Sequence, residues 1–497
     1  MRFLSNITEL LNYIQSRSDP DTPKGKEQRL TKQKMAQERK RIAKDWLIAG
    51  LQGNAKQRSK RALNAVVRKR LKPYSKRPKI SRDQRVLLMR GPRSSVILDR
   101  LYPERTKPNG WTKLRDRADS SDVTLSLENF SLLDDPERTL ANLRLIATEE
   151  AKSVGVKINF EDNYCLDVSP FMLLMEFWQH MIPVFEGGKM NKPLQKVLFG
   201  LGIPQAMGIS VNAVTDLEDV WAFPLCRRRT AGSTVSKASF TDVQRREVAN
   251  DEFCMSVDEW LHEVGMELSE NGTAWIKNIL GELLENAERH SDGTRMDGTW
   301  SVSGCMVRRK VEATNEWRLQ VYIGIVNLGD TFSESLLRAT QDTRDLLDRY
   351  IARMKKIGAP QSTETLRTLA ALQDTITCVA SAEKEDRGGY GLQEMIDLVN
   401  ILGATSDSSR LPRITIVSGK SCIQLRHPYI QGVREGGDDK PRVLWCNESN
   451  DNNSAPDTEY VYDLSTDLPG TAISIGFELD DSYYAQVMGG GKNDAND

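Results

Sequence analysis

The chain contains few of the residues that metal clusters and disulfide frameworks require. Seven cysteines and four histidines are present among 497 residues, and no two cysteines form a Cys-x-x-Cys pair. An odd number of scattered cysteines argues against a disulfide framework, and four separated histidines offer no His/Cys zinc cluster. No spacing of serine, histidine and aspartate indicates a hydrolase triad. The composition therefore points away from small domains stabilised by metals or disulfides.

Long apolar runs are also missing from the sequence. No stretch is apolar over the length needed to cross a bilayer, and the starting Met-Arg-Phe-Leu is followed at once by polar residues, unlike a secretory signal. We therefore expect a cytoplasmic protein without a membrane partner. Its length of 497 residues predicts about three domains.

The net charge of zero hides an uneven distribution. Residues 1–90 contain 25 Lys and Arg against 7 Asp and Glu, whereas the remaining 407 residues contain 44 against 62. Helical patterns in the basic part end before prolines 73 and 78, which predicts a separate basic helical arm over 1–95. Residues 1–90 could bind the phosphates of a nucleic acid or dock on an acidic protein surface. A solvated tail without a specific partner is the third alternative.

The most informative stretch is Gly-Glu-Leu-Leu-Glu-Asn-Ala-Glu-Arg-His over 281–290, which predicts an amphipathic helix. Glu282, Asn286 and His290 recur at every fourth residue, so they line one polar face of this helix. A carboxylate one turn away from a carboxamide can orient or deprotonate a nucleophile, while the amide oxygen binds Mg²⁺. A row of surface polar residues without such a role is the alternative interpretation.

Three further segments follow this helix along the chain. A buried strand over 319–326 is predicted to run into a turn that contains Asn327, Gly329 and Thr331. Later, Arg-Gly-Gly-Tyr-Gly-Leu over 387–392 opens a helix, and glycines at a helix start leave backbone N–H groups open to a phosphate. Finally, Pro-Gly-Thr over 469–471 is predicted to be a turn that leads into the last strand.

In this order the four segments resemble the ATP-binding domain shared by DNA gyrase, heat-shock chaperones, histidine kinases and mismatch-repair MutL proteins, known as the GHKL or Bergerat fold. The resemblance covers 245–480, and the Asn-Ala-x-x-His ending is most similar to the histidine-kinase and anti-sigma-kinase branch. It implies an α/β fold class for this region, with a mixed sheet covered by helices. It also implies ATP and Mg²⁺ as cofactors.

The resemblance assigns roles to individual residues. Glu282 matches the catalytic carboxylate and Asn286 the magnesium ligand. The positions expected to contact the nucleotide are Asn286, His290, Asn327, Gly329, Thr331, Gly389, Gly391 and Thr471.

Two of these positions differ from the family pattern. Asn327 replaces an aspartate that accepts a hydrogen bond from the adenine amino group; its oxygen can accept the same bond, and its amide could equally face a carbonyl. Thr331 replaces a glycine. By position, residues 333–387 correspond to the family's ATP lid, and a helical insertion packed on the sheet is the alternative.

The region before the ATP-binding segments also shows a pattern of strands and helices. Strands are predicted at 122–127 and 156–160, and helices at 136–153 and 171–181, the last after Asp-Val-Ser-Pro. This order, over 120–212, resembles the STAS domain of anti-anti-sigma factors. The position that this family phosphorylates is Val168 here, so docking of a protein partner is the expected role. Residues 481–497 are predicted to form a flexible tail.

Three functions remain open at this point. The resemblance implies a magnesium-dependent ATPase whose turnover drives closure or homodimerisation, as a bacterial regulatory or defence switch. The same site could instead transfer phosphate to a protein, as anti-sigma kinases do. In the third alternative, nucleotide binding alone gates a scaffold that binds nucleic acid.

Overall fold

The computed structural model describes residues 95–106, 123–153, 155–182, 184–209, 214, 216–228, 245–290, 299–311, 315–374, 376, 390–434, 441–480, 482 and 483. In these ranges the fold is mixed α/β, with both parallel and antiparallel sheets. They belong to one compact unit formed by 93–110 and 120–497. None of their helices is long and apolar enough to cross a membrane. The helices predicted for the basic arm and the predicted tail lie outside the described residues, apart from 482 and 483.

The first part of the described chain forms a small layer around a parallel sheet of three strands, in the order β1-β2-β3. The strands are β1 (Val123–Leu127), β2 (Val156–Phe160) and β3 (Phe185–Gly187). The helices are α1 (Val96–Leu101), α2 (Pro136–Lys152), α3 (Ser169–Met181), α4 (Lys192–Gly200) and α5 (Ile203–Met207), with a 3-10 helix at Pro103–Thr106. The strands and helices predicted here are confirmed, with small shifts at their ends.

The second part of the chain contains a sheet of five strands in the order β4-β5-β6-β10-β7. These strands are β4 (Val220–Arg228), β5 (Thr299–Lys310), β6 (Trp317–Leu328), β7 (Arg413–Leu425) and β10 (Val461–Leu479). A mixed sheet was expected, but all the described pairings in this sheet are antiparallel. The reason is that β5 and β6 form a hairpin and β10 lies antiparallel between β6 and β7. A separate hairpin joins β8 (Val433–Arg434) and β9 (Arg442–Val443).

The five-stranded sheet is covered on both faces. Along β6, Ile323 and Ile325 pack into the large apolar core shared with the helices on one face. Gly324 points to the other face, because side chains alternate along a strand. The helices of the second part are α6 (Arg246–His262), α7 (Glu270–His290), α8 (Phe332–Leu336), α9 (Gln341–Lys356), α10 (Thr363–Ala370) and α11 (Tyr390–Leu402), with a 3-10 helix at Ser408–Arg410. Of these, α6, α7 and α11 contribute most to the large core, and α10 contributes Leu369.

Helix α3 is apolar on nearly all sides because it lies between the two sheets. Its Phe171 ring packs on Phe160 of β2, with ring centroids 5.2 Å apart. On its other side, a Cβ atom added to Gly324 of β6 would lie only 2.8 Å from the sulfur of Met172. A helix that is hydrophobic all round is a buried helix. The glycine at 324 thus allows α3 to lie directly on the larger sheet.

The last strand differs from its prediction. The Pro-Gly-Thr segment was expected to form a turn, but β10 runs without interruption from 461 to 479. Its pairing with β7 shifts register between Asp463 and Leu468 and again between Leu468 and Thr471. Proline and glycine therefore mark an irregular stretch inside a strand, where β-bulges use the same residues as turns. The prediction of a turn was wrong for this reason.

The segment predicted as a lid contains three helices, α8, α9 and α10. Their apolar side chains form a small separate core, which includes Leu347, Tyr350 and Leu366. Helix α10 packs against β7, where Thr368 donates a hydrogen bond of 3.0 Å to Ser421. Up to residue 374 this segment is a helical insertion packed on the sheet, and its correspondence to an ATP lid stays a prediction. Residues 377–389 lie outside the described part.

Candidate functional site

A cavity of about 130 Å³ lies where β6 ends, between α7, α8 and α11. Its lining is mainly apolar, with a few polar side chains, which is typical of small-molecule sites. The lining residues are Leu283, Asn286, Ala287, Ile325, Asn327, Asp330, Phe332, Ser335, Leu336, Ala371, Ile376, Gly391, Leu392, Thr471 and Ile473. Small-molecule pockets usually measure roughly 300 Å³ or more. This cavity is smaller, so it could enclose only part of a ligand such as a nucleotide.

Four of the predicted site residues meet at this cavity. Asn286 comes from α7, Asn327 from β6, Gly391 from α11 and Thr471 from β10. They are separated by up to 185 positions in the sequence, and the fold brings them to one place. This convergence is the strongest structural feature of the site.

Glu282 lies beside the cavity, one helical turn before Asn286. Its side chain contacts the start of α11, because a Cβ atom added to Gly391 would lie 2.6 Å from Glu282 Oε2. Any larger residue at 391 would displace this carboxylate. Partial burial raises the pKa of Glu282 above its ordinary value, and the carboxylates of Glu394 and Glu285 raise it further. A carboxylate with a raised pKa is a stronger proton acceptor, as a general base requires.

A chain of hydrogen bonds fixes the polar end of the cavity. The Thr471 N–H donates to Asn327 Oδ1 over 2.8 Å, and the hydroxyls of Thr471 and Ser418 lie 2.8 Å apart. Ser418 Oγ also accepts a hydrogen bond of 2.9 Å from the Phe332 N–H. Because a backbone N–H can only donate, the atom facing it must be the carboxamide oxygen of Asn327. The Nδ2 group, a donor, therefore occupies the other position of this carboxamide.

Ser418 was not among the predicted site residues. It lies in β7 and joins the site because the strand register pairs it with Thr471 of β10. No local sequence motif marks it, since the pairing is between residues 53 positions apart. Only a correct prediction of the strand order could have found it.

Two glycines shape the backbone around Asn327. Gly329 adopts φ 148° directly after β6, and Gly470 adopts φ 102° in β10, both unfavourable for other residues. A Cβ atom at 470 would lie 2.2 Å from the backbone oxygen of Asn327. Gly470 thus allows β10 to approach β6 closely enough for Thr471 to bond to Asn327. Neither glycine lines the cavity.

Thr331 has a structural role in the described chain. It is 1% exposed and forms the N-cap of α8. Its hydroxyl accepts a hydrogen bond of 3.1 Å from the Glu334 N–H, and Glu334 Oε2 accepts one of 2.7 Å from the Thr331 N–H. This capping box begins the helix that borders the cavity. His290 is the last residue of α7 and its side chain is not described, while Gly389 lies outside the described residues.

A magnesium ion would find few protein ligands here. Within the described ranges, no group of three or more His, Cys, Asp or Glu side chains is arranged to hold a metal ion. Asn286, however, is exposed on α7 and lines the cavity, so its amide oxygen is accessible. Mg²⁺ commonly takes only one or two protein ligands and completes its shell with phosphate and water oxygens. The residues present fit that mode of binding.

The turn before α3, which carries the STAS-like Asp-Ser pattern, is buried. Asp167 is 0% exposed and accepts hydrogen bonds of 2.8 and 2.9 Å from the N–H groups of Leu132 and Ser169. Burial raises the pKa of Asp167 to about 6. Ser169 is likewise 0% exposed. These contacts hold the turn against the core, and the Ser169 hydroxyl is not accessible to a modifying enzyme.

Neither a protein-family profile, nor a curated protein, nor a solved structure matches this chain. The assignment of the cavity therefore depends on its own geometry and on the motif resemblance.

Proposed function

We propose that this protein binds ATP and Mg²⁺ in the cavity at the end of β6 and acts as a nucleotide-driven switch of the GHKL type. The observation that carries the proposal is the convergence of Asn286, Asn327, Gly391 and Thr471 on one cavity. These residues come from the four segments that resemble the nucleotide motifs. The two helices α7 and α11 that frame the cavity lie on one face of an antiparallel sheet, which supports a Bergerat arrangement.

Each side chain has a distinct task in this proposal. The apolar lining takes the base, and Asn327, held by Thr471, faces its polar edge. The phosphates extend towards Gly391 at the start of α11, where backbone N–H groups and the helix dipole favour an anion. The Asn286 oxygen would hold a magnesium ion, whose charge would offset that of the phosphates. Glu282, beside them, accepts the proton of the attacking water.

The other parts of the chain are proposed to connect this switch to partners. The parallel layer of β1 to β3 supports a STAS-like domain that docks a protein partner. Residues 1–90 are proposed to bind a nucleic acid or an acidic protein, and nucleotide binding is proposed to drive closure or homodimerisation. This combination suits a regulatory or defence component in a bacterial cytoplasm.

One observation favours the binding-only alternative, a nucleotide-gated scaffold. Glu282 contacts α11 beside the cavity and does not line it. Transfer of phosphate to a protein hydroxyl, as in anti-sigma kinases, would use the same carboxylate as the base.

Incubation of the full-length protein with γ-labelled ATP and Mg²⁺ separates these functions. Free labelled phosphate identifies an ATPase, labelled protein identifies a kinase, and retained ATP without either product identifies a scaffold. Absence of ATP binding in a folded sample would reject the proposal. Glu259→Gln is a matched control for substitutions at Glu282, because Glu259 is an exposed glutamate on the neighbouring helix α6.

A further inference from the structure

A second cavity, of about 340 Å³, lies at the opposite end of the β5–β6 hairpin from the nucleotide cavity. We call it the basic–aromatic cleft, defined by Tyr164, Lys192, Arg308, Arg309, Lys310 and Trp317. Trp317 begins β6 and Asn327 lies near its end, so the two cavities are roughly 30 Å apart along the strand. None of the residues assigned to the nucleotide site lies in this cleft.

The cleft concentrates positive charge in a part of the chain that is acidic as a whole. Lys196 also lines it, which gives five cations against the two carboxylates Glu218 and Asp219. Arg308 pairs with Asp219 over 2.7 Å, and Lys196 pairs with Asp216. Lys192, Arg309 and Lys310 form no ion pair with any carboxylate of the described residues. Three cations therefore remain available to an anionic ligand.

The start of α4 adds to this positive potential. Lys192 and Pro193 line the cleft and form the first two positions of this nine-residue helix. Its N-cap, Asn191, makes no capping hydrogen bond with its side chain. The positive end of a helix dipole next to a lysine favours a phosphate.

Two aromatic rings, those of Trp317 and Tyr164, line the same cleft. Trp317 is 60% exposed, which is unusual for so large an apolar side chain. The guanidinium of Arg308 lies 5.9 Å from the Trp317 ring centroid, and that of Arg309 lies 5.7 Å from the Tyr164 ring centroid. Open aromatic faces and guanidinium planes are the surfaces on which unpaired bases stack.

We propose that the basic–aromatic cleft binds single-stranded nucleic acid, with a base stacked on Trp317 and the adjoining phosphates near Lys192, Arg309 and Lys310. An acidic peptide would use the cations but would not use the exposed indole face. A duplex would use the cations too, but its bases are already stacked and cannot reach the ring. The combination of rings and cations thus favours a single strand, whose nucleotide unit suits a cavity of this size.

The test uses the full-length protein and a fluorescent oligothymidylate of about 12 nucleotides. Trp317→Ala should weaken its binding about 5- to 150-fold, since that is the range found for removal of a stacked aromatic ring. Trp317→Phe, which keeps a ring, should restore most of the affinity. The paired change Lys192→Glu and Lys310→Glu should also lower the salt dependence, by about 0.7 in the log-log slope per lost phosphate contact.

A control pair and a cross-linking experiment separate the cleft from the basic arm of residues 1–90. Lys355→Glu with Lys356→Glu places the same charge change on exposed positions of α9, and this pair should bind like the wild type. A strand containing 5-bromodeoxyuridine should cross-link, on irradiation, to the tryptic peptide 311–318, which contains Trp317.

Several results would overturn the proposal. Equal affinity of Trp317→Ala and wild type for the oligonucleotide, with unchanged thermal unfolding, would remove the stacking role. Cross-links found only within 1–90 would assign the binding to the arm. Competition by free thymidine monophosphate at the affinity of the strand would identify a mononucleotide site. Stronger competition by a polyglutamate peptide would identify an acidic protein partner.

Discussion

The two ends of β6 differ in how their polar groups are arranged. At the Asn327 end, the side chains of Asn327, Thr471 and Ser418 are buried or half-buried and are bonded to each other. At the Trp317 end, the cations and rings are exposed or half-buried, and only some of the charges are paired. The first arrangement fixes the position of each donor and acceptor before a ligand arrives. The second offers charge and surface without a fixed hydrogen-bond pattern.

This difference predicts two kinds of recognition. A preorganised, partly buried site discriminates by geometry, because a mismatched ligand leaves a buried donor or acceptor without a partner. An exposed basic site attracts any anion of suitable shape and loses affinity as salt rises. Substitutions at the Asn327 end should therefore change chemistry and ligand choice. Substitutions at the Trp317 end should change affinity and its salt dependence.

The largest expected effect concerns Glu282. Glu282→Gln should leave ATP binding largely intact and lower hydrolysis by about 100-fold or more, since loss of a general base typically costs that much. Single-turnover hydrolysis and equilibrium binding should be measured on the same preparation. Glu259→Gln should retain both activities. Unchanged hydrolysis in a folded Glu282→Gln protein would remove this carboxylate from the mechanism.

The pH dependence of hydrolysis sharpens the same prediction. Because the pKa of Glu282 is raised above its ordinary value, mainly by burial and then by Glu394, its basic form is lost at a higher pH than for an ordinary glutamate. Activity should fall on acidification as pH passes through this raised pKa. Glu394→Gln removes a neighbouring negative charge and should move the acidic limb of the profile to lower pH. If the acidic limb of the profile does not move in Glu394→Gln, the group that titrates is not Glu282.

The next effect concerns Asn286. Asn286→Ala should weaken magnesium-dependent ATP binding by about tenfold or more, because interactions of a neutral dipole with a charged group contribute about 1.5–3 kcal/mol. Binding measured with excess chelator should change little. Asn278→Ala, an exposed asparagine on the same helix, is the matched control. Equal affinity of Asn286→Ala and wild type would count against Asn286 as a metal ligand.

The sequence predicted those features of the site that depend on local spacing. The periodicity that places Glu282 and Asn286 on one face of a helix is present in ten residues and is reproduced by α7. The strand at 156–160 was likewise predicted from its own residues alone. Ser418 and the irregular stretch around Gly470 were not predicted, because both depend on how β10 pairs with distant strands. The basic–aromatic cleft was missed for the same reason, since its residues come from separate segments.

A smaller effect concerns Gly470. Because it has no side chain, β10 can approach β6 closely at the cavity. Gly470→Ala should destabilise the protein by about 1–3 kcal/mol, because the positive φ is strained and the new Cβ would meet Asn327. Gly358→Ala is the control: Gly358 has φ 77° and its Cβ would meet nothing within 4 Å. Chemical denaturation should show a greater loss for Gly470→Ala. An equal loss would show that backbone strain alone matters.

The smallest expected effect concerns the choice of base at Asn327. Asn327 Oδ1 accepts a hydrogen bond from the Thr471 N–H, so the other group of the carboxamide, Nδ2, is a donor. A donor facing the 6-amino group of adenine meets another donor, whereas the 6-carbonyl group of guanine would accept from it. The 6-amino group of adenine can bond to this residue only through the remaining lone pair of Oδ1.

Asn327→Asp tests this choice directly, because an aspartate presents an acceptor at both positions. One oxygen keeps the hydrogen bond from Thr471, and the other can accept one from an adenine amino group. The ratio of ATP to GTP affinity should therefore rise about 3- to 10-fold, which corresponds to the net contribution of one hydrogen bond. Competition titrations of both nucleotides against wild type and variant measure the ratio. Asn278→Asp adds the same charge on α7 outside the cavity lining. This control distinguishes a direct contact with the base from a general repulsion between the added charge and the triphosphate. An unchanged ratio would show that Asn327 supports Thr471 without contacting the base, and the cavity would then select its ligand by shape alone.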